Sequence, residues 1–223
     1  MTEPTMVEVF LDVSCPWCHG GQITARRILD EVAADPSLPR TAYTMRFIRL
    51  HDFGDPAGYP RAEMIRRWES PPEEVAAHLV ELEEFAASVG VRIDDDAYAY
   101  VSDPFHAHRL LAMVRDDPST DAPDLWSLSR AVWTGRYVHG LRADVHADLR
   151  KAVALAGLRV PERIWARMAD PDDHRERTLA DHARALEVHL DGVPRLVANG
   201  RIVPCWRPID EVRAGIREAL LAA

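Results

Sequence analysis

The chain has 223 residues, 47% of them apolar, enough to bury the core of one enlarged domain or of a small domain that carries an insertion. Its formal net charge of -9 opposes polyanionic partners, so neither nucleic acid nor an anionic membrane surface is expected to bind it. Lys151 is the sole lysine, and nothing around it recommends it for Schiff-base or nucleophilic chemistry.

The opening MTEPTMVEVFLDVSC has no basic n-region, and its apolar run is too short for a secretory signal. No stretch reaches the roughly 18–20 apolar residues of a membrane span. The expected location is therefore cytoplasmic, where the three cysteines serve as reactive or metal-bound thiols and not as a permanent disulfide framework.

In chain order, VEVFLDV at 7–13 reads as a buried strand, because β-branched and aromatic residues dominate it. Pro16 then suits a first helical position, where its missing N–H costs nothing, and Ile23, Arg27, Ile28 and Val32 follow at helical spacing. A second strand is expected over 43–50 and a Gly- and Pro-rich loop over 51–61. From Pro72 a helix carries Val75, Leu79, Leu82, Phe85 and Val89 as an apolar stripe and stops at Gly90. Further helices are expected over 104–116, 123–137, 144–156, 161–169 and 172–188. Trp68, Trp126, Trp133 and Trp165 read as helical core. In GVPRLVANGRIVPCW, Asn199-Gly200 separates two apolar runs, a two-residue hairpin turn whose positions both need positive φ. Such a turn sets Ala198 opposite Arg201 and Pro194 opposite Cys205 on one face. From Pro208 a last helix puts Ile209, Val212, Ile216 and Leu220 on one side.

The chemistry concentrates in SCPWCHGG at 14–21. Its C-x-x-C spacing suits a redox dithiol, half of a zinc site or, with His19, the C-x-x-C-H string of haem attachment. Haem attachment accompanies export, for which no signal is visible. A zinc site would draw on Cys15, Cys18, His19 and Cys205, yet there is no second C-x-x-C and the first pair sits at a helix start instead of a knuckle; no metal is expected. As a dithiol, Cys15 occupies the helix N-terminus, whose positive end favours thiolate below the free value of about 8.5. Cys18, one turn in, resolves the mixed disulfide. Cys205 reads first as a small buried thiol and second as a participant near the same rim. Asp12 is either a capping carboxylate at the strand–helix junction or a proton acceptor for Cys18, and His19 is expected as an exposed first-turn residue or a modulator of the thiols. His106, His108, His139, His146, His174, His182 and His189 read as solvated or hydrogen-bonded histidines.

DVSCPWCHGG, GVPRLV and the terminal hairpin plus helix resemble the DsbA family of thiol–disulfide oxidoreductases. SDPFHAHRLLAMV and LSRAVWTGRYV are similar to the inserted helices of its FrnE-like branch, which is related to the 2-hydroxychromene-2-carboxylate isomerases. The resemblance spans most of the chain. It implies an α/β, thioredoxin-like fold with a large α-helical insertion: residues 1–60 and 189–223 form the two halves of the thioredoxin-like part, and 61–188 the inserted helical part. It also implies a cis Val193-Pro194 bond, with Val193 presenting its backbone to substrate opposite Cys15, and with Pro16 and Trp17 bordering the groove. Trp17 stands where strongly oxidising members carry His, which points to a reductase or isomerase; His19 departs from the aromatic expected after CPWC. The expected activity is exchange on protein disulfides or low-molecular-weight thiol conjugates by a monomer or homodimer, with no tightly bound cofactor and a low-molecular-weight thiol as candidate co-substrate. The alternatives are a thiol-cofactor-dependent isomerase or reductase of a small aromatic or electrophilic substrate, and a zinc-stabilised binding module.

Overall fold

A computed structural model describes residues 3–51, 58–67, 69–119 and 121–222; Trp68 and most of the expected 51–61 loop lie outside the described residues. Four strands form one mixed sheet: β1 (Thr5–Leu11), β2 (Thr41–Phe47), β5 (Arg195–Ala198) and β6 (Arg201–Pro204), in the order β2-β1-β5-β6. β1 runs parallel to β2 and antiparallel to β5, so the two ends of the chain meet in the middle of the sheet. Val7 to Leu11 are all buried, as a central strand covered on both faces requires.

Both N-terminal strands end earlier than the apolar runs suggest. Asp12 and Val13 leave the ladder because side chains take their backbone groups: the Val13 N–H donates to His108 Nε2 at 3.1 Å. On β2, the Ile48 N–H still donates to the Leu11 carbonyl at 2.9 Å, but the Leu50 N–H goes to the Asp12 carboxylate. A polar junction thus stops the sheet where hydrophobicity alone would continue it.

α1 (Pro16–Ala34) follows β1, with Cys15 as N-cap and Pro16 in the first turn. The connection from β2 to β5 contains α3 (Pro72–Ser88), α4 (Phe105–Arg115), α5 (Leu125–His139), α6 (His146–Leu155), α7 (Glu162–Met168) and α8 (Arg175–Glu187), close to the expected spans. It also contains α2 (Arg61–Arg67) and a two-residue ladder pairing β3 (Tyr59–Pro60) with β4 (Tyr100–Val101). These pieces are too short to show a period, so the sequence gives no warning of them. α4 and α8 pack on β2, and α5 packs on α1. α9 (Ile209–Leu221) closes the fold against β5 and β6, burying Val212, Ile216 and Leu220. Trp126, Trp133 and Trp165 are buried, as helical core residues should be. The α3 stripe is different: only Leu82 of its five apolar positions is fully buried, because the helix faces cavities beside α1 instead of solid core.

The hairpin has the expected register, with Ala198 opposite Arg201, and both turn residues have positive φ, 48° at Asn199 and 75° at Gly200. One step further, the Cys205 N–H donates to the Pro194 carbonyl at 3.1 Å. Gly21 of α1 lies against that proline: a Cβ there would stand 2.3 Å from Pro194 Cγ and 2.6 Å from its Cβ. The Gly21→Ala variant should therefore lose about 1–3 kcal/mol of stability by overpacking, read as a lower denaturation midpoint with an unchanged slope. A midpoint equal to wild type would show that α1 does not seat on this loop.

Candidate active site

Residues 12–18 carry the chain from β1 into α1 in a tight turn. The Cys15 N–H donates to the Asp12 carbonyl at 3.1 Å, and the Cys18 N–H donates to the Cys15 carbonyl, also at 3.1 Å. The inserted helices clamp this turn. α4 supplies His108 to the Val13 N–H, while α5 supplies Tyr137, whose hydroxyl donates to the Val13 carbonyl at 3.3 Å, and Trp133, whose Nε1 donates to the Cys15 carbonyl at 3.4 Å. The insertion therefore shapes the dithiol turn as well as covering it.

The thiol of Cys15 points at the Val193 carbonyl, with sulfur and oxygen 3.8 Å apart. The Val193–Pro194 peptide is cis. Cys15 is only 5% exposed and borders a cavity of about 250 Å³ with Trp17, Met64, Leu82, Tyr98 and Val193 among its walls. Pro16 also lines it, so the structure brings together Cys15, Pro16, Trp17 and Val193. Trp17 is fixed at the boundary between this cavity and an open groove of about 700 Å³. Its Nε1 donates to His78 Nε2 at 3.2 Å, and its ring stacks on Phe85 with centroids 5.5 Å apart.

Cys18 is wholly buried beneath Cys15. Its sulfur accepts the Asp12 N–H at 3.4 Å. Burial above all, then its hydrogen bond to Cys15, raises the Cys18 thiol well above the ordinary range. A thiol held protonated in this way is a poor nucleophile as it stands.

Asp12 is also wholly buried, and its side chain secures the strand–helix junction. The carboxylate accepts the Ser14 N–H at 2.8 Å, the Ser14 hydroxyl at 2.7 Å and the Leu50 N–H at 2.7 Å, and His108 Nε2 lies 3.2 Å away. Burial pushes its pKa up, but the interactions with His108 and Ser14 outweigh burial and hold the carboxyl below its usual value.

One expectation needs correction. His19 is not an exposed first-turn residue: it is 1% exposed, stacks on Tyr137 with centroids 6.1 Å apart, and is pushed down to about 4 by burial and then by Arg130. The helix turns it toward α5 because the insertion covers the face that a bare thioredoxin-like domain would leave open. His108, read as a solvated or hydrogen-bonded histidine, is hydrogen-bonded and fully buried against the dithiol turn.

Cys205 is buried behind Pro194, and burial pushes its thiol up to about 12. Cys15, Cys18, His19 and Cys205 are not gathered into a ligand set; among the described residues no three His, Cys, Asp or Glu side chains form one. Among the described residues, too, no helix is long and apolar enough to cross a membrane. His78, Tyr98 and His108 reach the site from the insertion across long sequence separations, and no local spacing marks them.

Replacing Asp12 with Ala strands three donors, a loss of about 1–3 kcal/mol for each one left buried and unsatisfied. Because the folded carboxyl titrates below the unfolded value of about 3.9, its stabilisation is present above that pH and fades as pH falls through the folded value. The wild-type advantage over Asp12→Ala should thus shrink on acidification in denaturant titrations; an advantage independent of pH would contradict the assignment. For Cys205, native protein should react with a maleimide at this position far more slowly than denatured protein, and equal rates would contradict its burial.

The family described as DSBA-like thioredoxin domain matches residues 6–216. No curated protein matches the sequence. Among solved structures, a probable DsbA oxidoreductase from Streptomyces coelicolor superposes with a TM-score of 0.76 at 22% identity, covering 96% of this chain and 89% of that one. The cytosolic disulfide reductase DsbM from Pseudomonas aeruginosa, solved with GSH, gives 0.63 at 16% identity over 98% and 100% of the two chains. A 2-hydroxychromene-2-carboxylate isomerase gives 0.53 at 13% identity over 89% and 88%. These likenesses place the chain in the thioredoxin-like fold with a helical insertion, and the match over residues 6–216 makes it a member of the DSBA-like thioredoxin domain family.

Proposed function

We propose that the protein is a thiol–disulfide oxidoreductase in which Cys15 is the nucleophile and Cys18 resolves. The observation that carries this reading is the arrangement of the two cysteines: Cys15 at the helix N-terminus on a cavity wall, and Cys18 wholly buried one turn further in, its backbone N–H bonded to the Cys15 carbonyl. Cys15 thiolate attacks one sulfur of a substrate disulfide R–S–S–R′, forming a mixed disulfide and releasing R′S⁻. Cys18 then attacks Cys15 Sγ, the bond to the substrate sulfur breaks, and RSH leaves with the proton of the Cys18 thiol. The dithiol is oxidised by two electrons and the substrate reduced by two. In this scheme the Val193 backbone, facing Cys15, lies where an extended substrate segment would meet it.

Small thiol conjugates fit the site better than protein disulfides do. Cys15 is recessed, and the cavity that reaches it is about 250 Å³ and lined mainly by apolar side chains. DsbM, solved with GSH, is a structural neighbour consistent with a low-molecular-weight thiol as co-substrate and with a cytosolic setting. The same apolar cavity favours the second reading, a thiol-dependent isomerase or reductase of a small aromatic substrate. That activity does not need Cys18, whereas disulfide exchange does.

Equilibrating the protein against a glutathione buffer and trapping free thiols discriminates the two. Exchange predicts a reversible two-electron Cys15–Cys18 couple with a midpoint between about -270 and -180 mV, abolished in Cys18→Ser and unchanged in Cys205→Ser. No reversible couple would overturn it in favour of the isomerase.

A further inference from the structure

The buried histidine of α4 is not used by the scheme above, yet it bonds the dithiol turn at the Val13 N–H. His108 Nε2 stands between two groups that make opposite demands on it. The Val13 N–H, 3.1 Å away, needs an acceptor; the Asp12 carboxylate, 3.2 Å away, needs a donor. Its other nitrogen, Nδ1, is buried with no hydrogen-bond partner among the described residues. A neutral ring that accepts from Val13 must carry its proton on Nδ1, where nothing receives it. A ring with its proton on Nε2, neutral or charged, presents Nε2–H to Asp12 but loses the Val13 bond. Neither state satisfies every group, so the local charge can decide between them.

That charge changes during exchange. Asp12 is a buried anion whose backbone N–H bonds the Cys18 sulfur, and negative charge developing on Cys18 as it attacks Cys15 is a second anion in the same enclosed volume. We propose that His108 is a positioning residue for the resolving step: through Val13 and Asp12 it holds the turn that seats Cys18, and by presenting Nε2–H to Asp12 it offsets the charge that develops when Cys18 attacks. This rests on the Cys15–Cys18 exchange proposed above.

The surroundings leave His108 as the group placed to do this. Arg49, His51 and His182 border the cavity of about 410 Å³ that His108 also lines, and Arg49 is already paired with Asp103 at 2.6 Å. From α5, Tyr137 is committed to the Val13 carbonyl. On α4 itself, Arg115 is paired with Asp116 and Asp181, and Arg109 bonds the carbonyls of Asp170 and Asp173. Phe47 packs near the imidazole, with ring centroids 6.1 Å apart, and supplies no charge.

The test uses one equivalent of 5,5′-dithiobis(2-nitrobenzoate), whose first aromatic thiolate reports attack by Cys15 and whose second reports resolution by Cys18. His108→Gln keeps an acceptor for the Val13 N–H but cannot become a cation. It should leave the first release unchanged and slow the second about tenfold at neutral pH, its pH profile moving up by about one unit, the effect expected for removal of a nearby opposite charge. A second release with the wild-type pH profile would overturn the role of His108 while leaving the exchange reading intact. Absence of the first release in wild type would overturn both. In wild-type protein, which needs no variant to fold, the ¹⁵Nε2 resonance of His108 should differ between the dithiol and disulfide forms, and an unmoved resonance would also overturn the proposal.

Discussion

A single buried carboxylate fixes the geometry on which the site depends. Asp12 ends β1, binds both donors of Ser14 to shape the turn into α1, and binds the Leu50 N–H to draw the end of β2 alongside. Its own backbone N–H meets the Cys18 sulfur and its carbonyl receives the Cys15 N–H. A buried ion is costly unless it is hydrogen-bonded, and here donors from two chain segments, Ser14 and Leu50, converge on it. The same bonds that stabilise the anion leave the chain one path from strand to helix, so both sulfurs are placed by the requirement to solvate one acid.

The helical insertion completes that arrangement. Without it the turn would expose the Val13 backbone and the Cys15 carbonyl; with it His108, Tyr137 and Trp133 occupy those groups. α3 adds a different effect. Its apolar stripe stops short of full packing, and the space left beside Leu82 and Trp17 becomes the cavity at Cys15. A helix of the insertion thus sets access to the Cys15 thiol.

Much of this was legible in the sequence, for physical reasons that can be named. Asn199-Gly200 fixed the hairpin register because few residues tolerate positive φ in succession, and the register carried Cys205 to Pro194 without reference to any other part of the fold. Cys15 at the N-cap followed from Pro16 after a strand. The histidines were not legible. His19 and His108 differ in the structure from ordinary surface histidines only by what covers them, and that cover comes from helices far away in sequence. The β3–β4 ladder and α2 failed to show for a related reason: pieces of two and seven residues are held by tertiary contacts and carry no period of their own.

Of the three cysteines Cys15 alone lines the cavity, and Cys18 and Cys205 are held back by burial. Intact-mass and peptide analysis of Cys18→Ser protein after exposure to glutathione disulfide tests it most directly. One glutathione adduct is expected, on Cys15, with Cys205 unmodified. An adduct on Cys205, or a Cys15–Cys205 disulfide in its place, would contradict it.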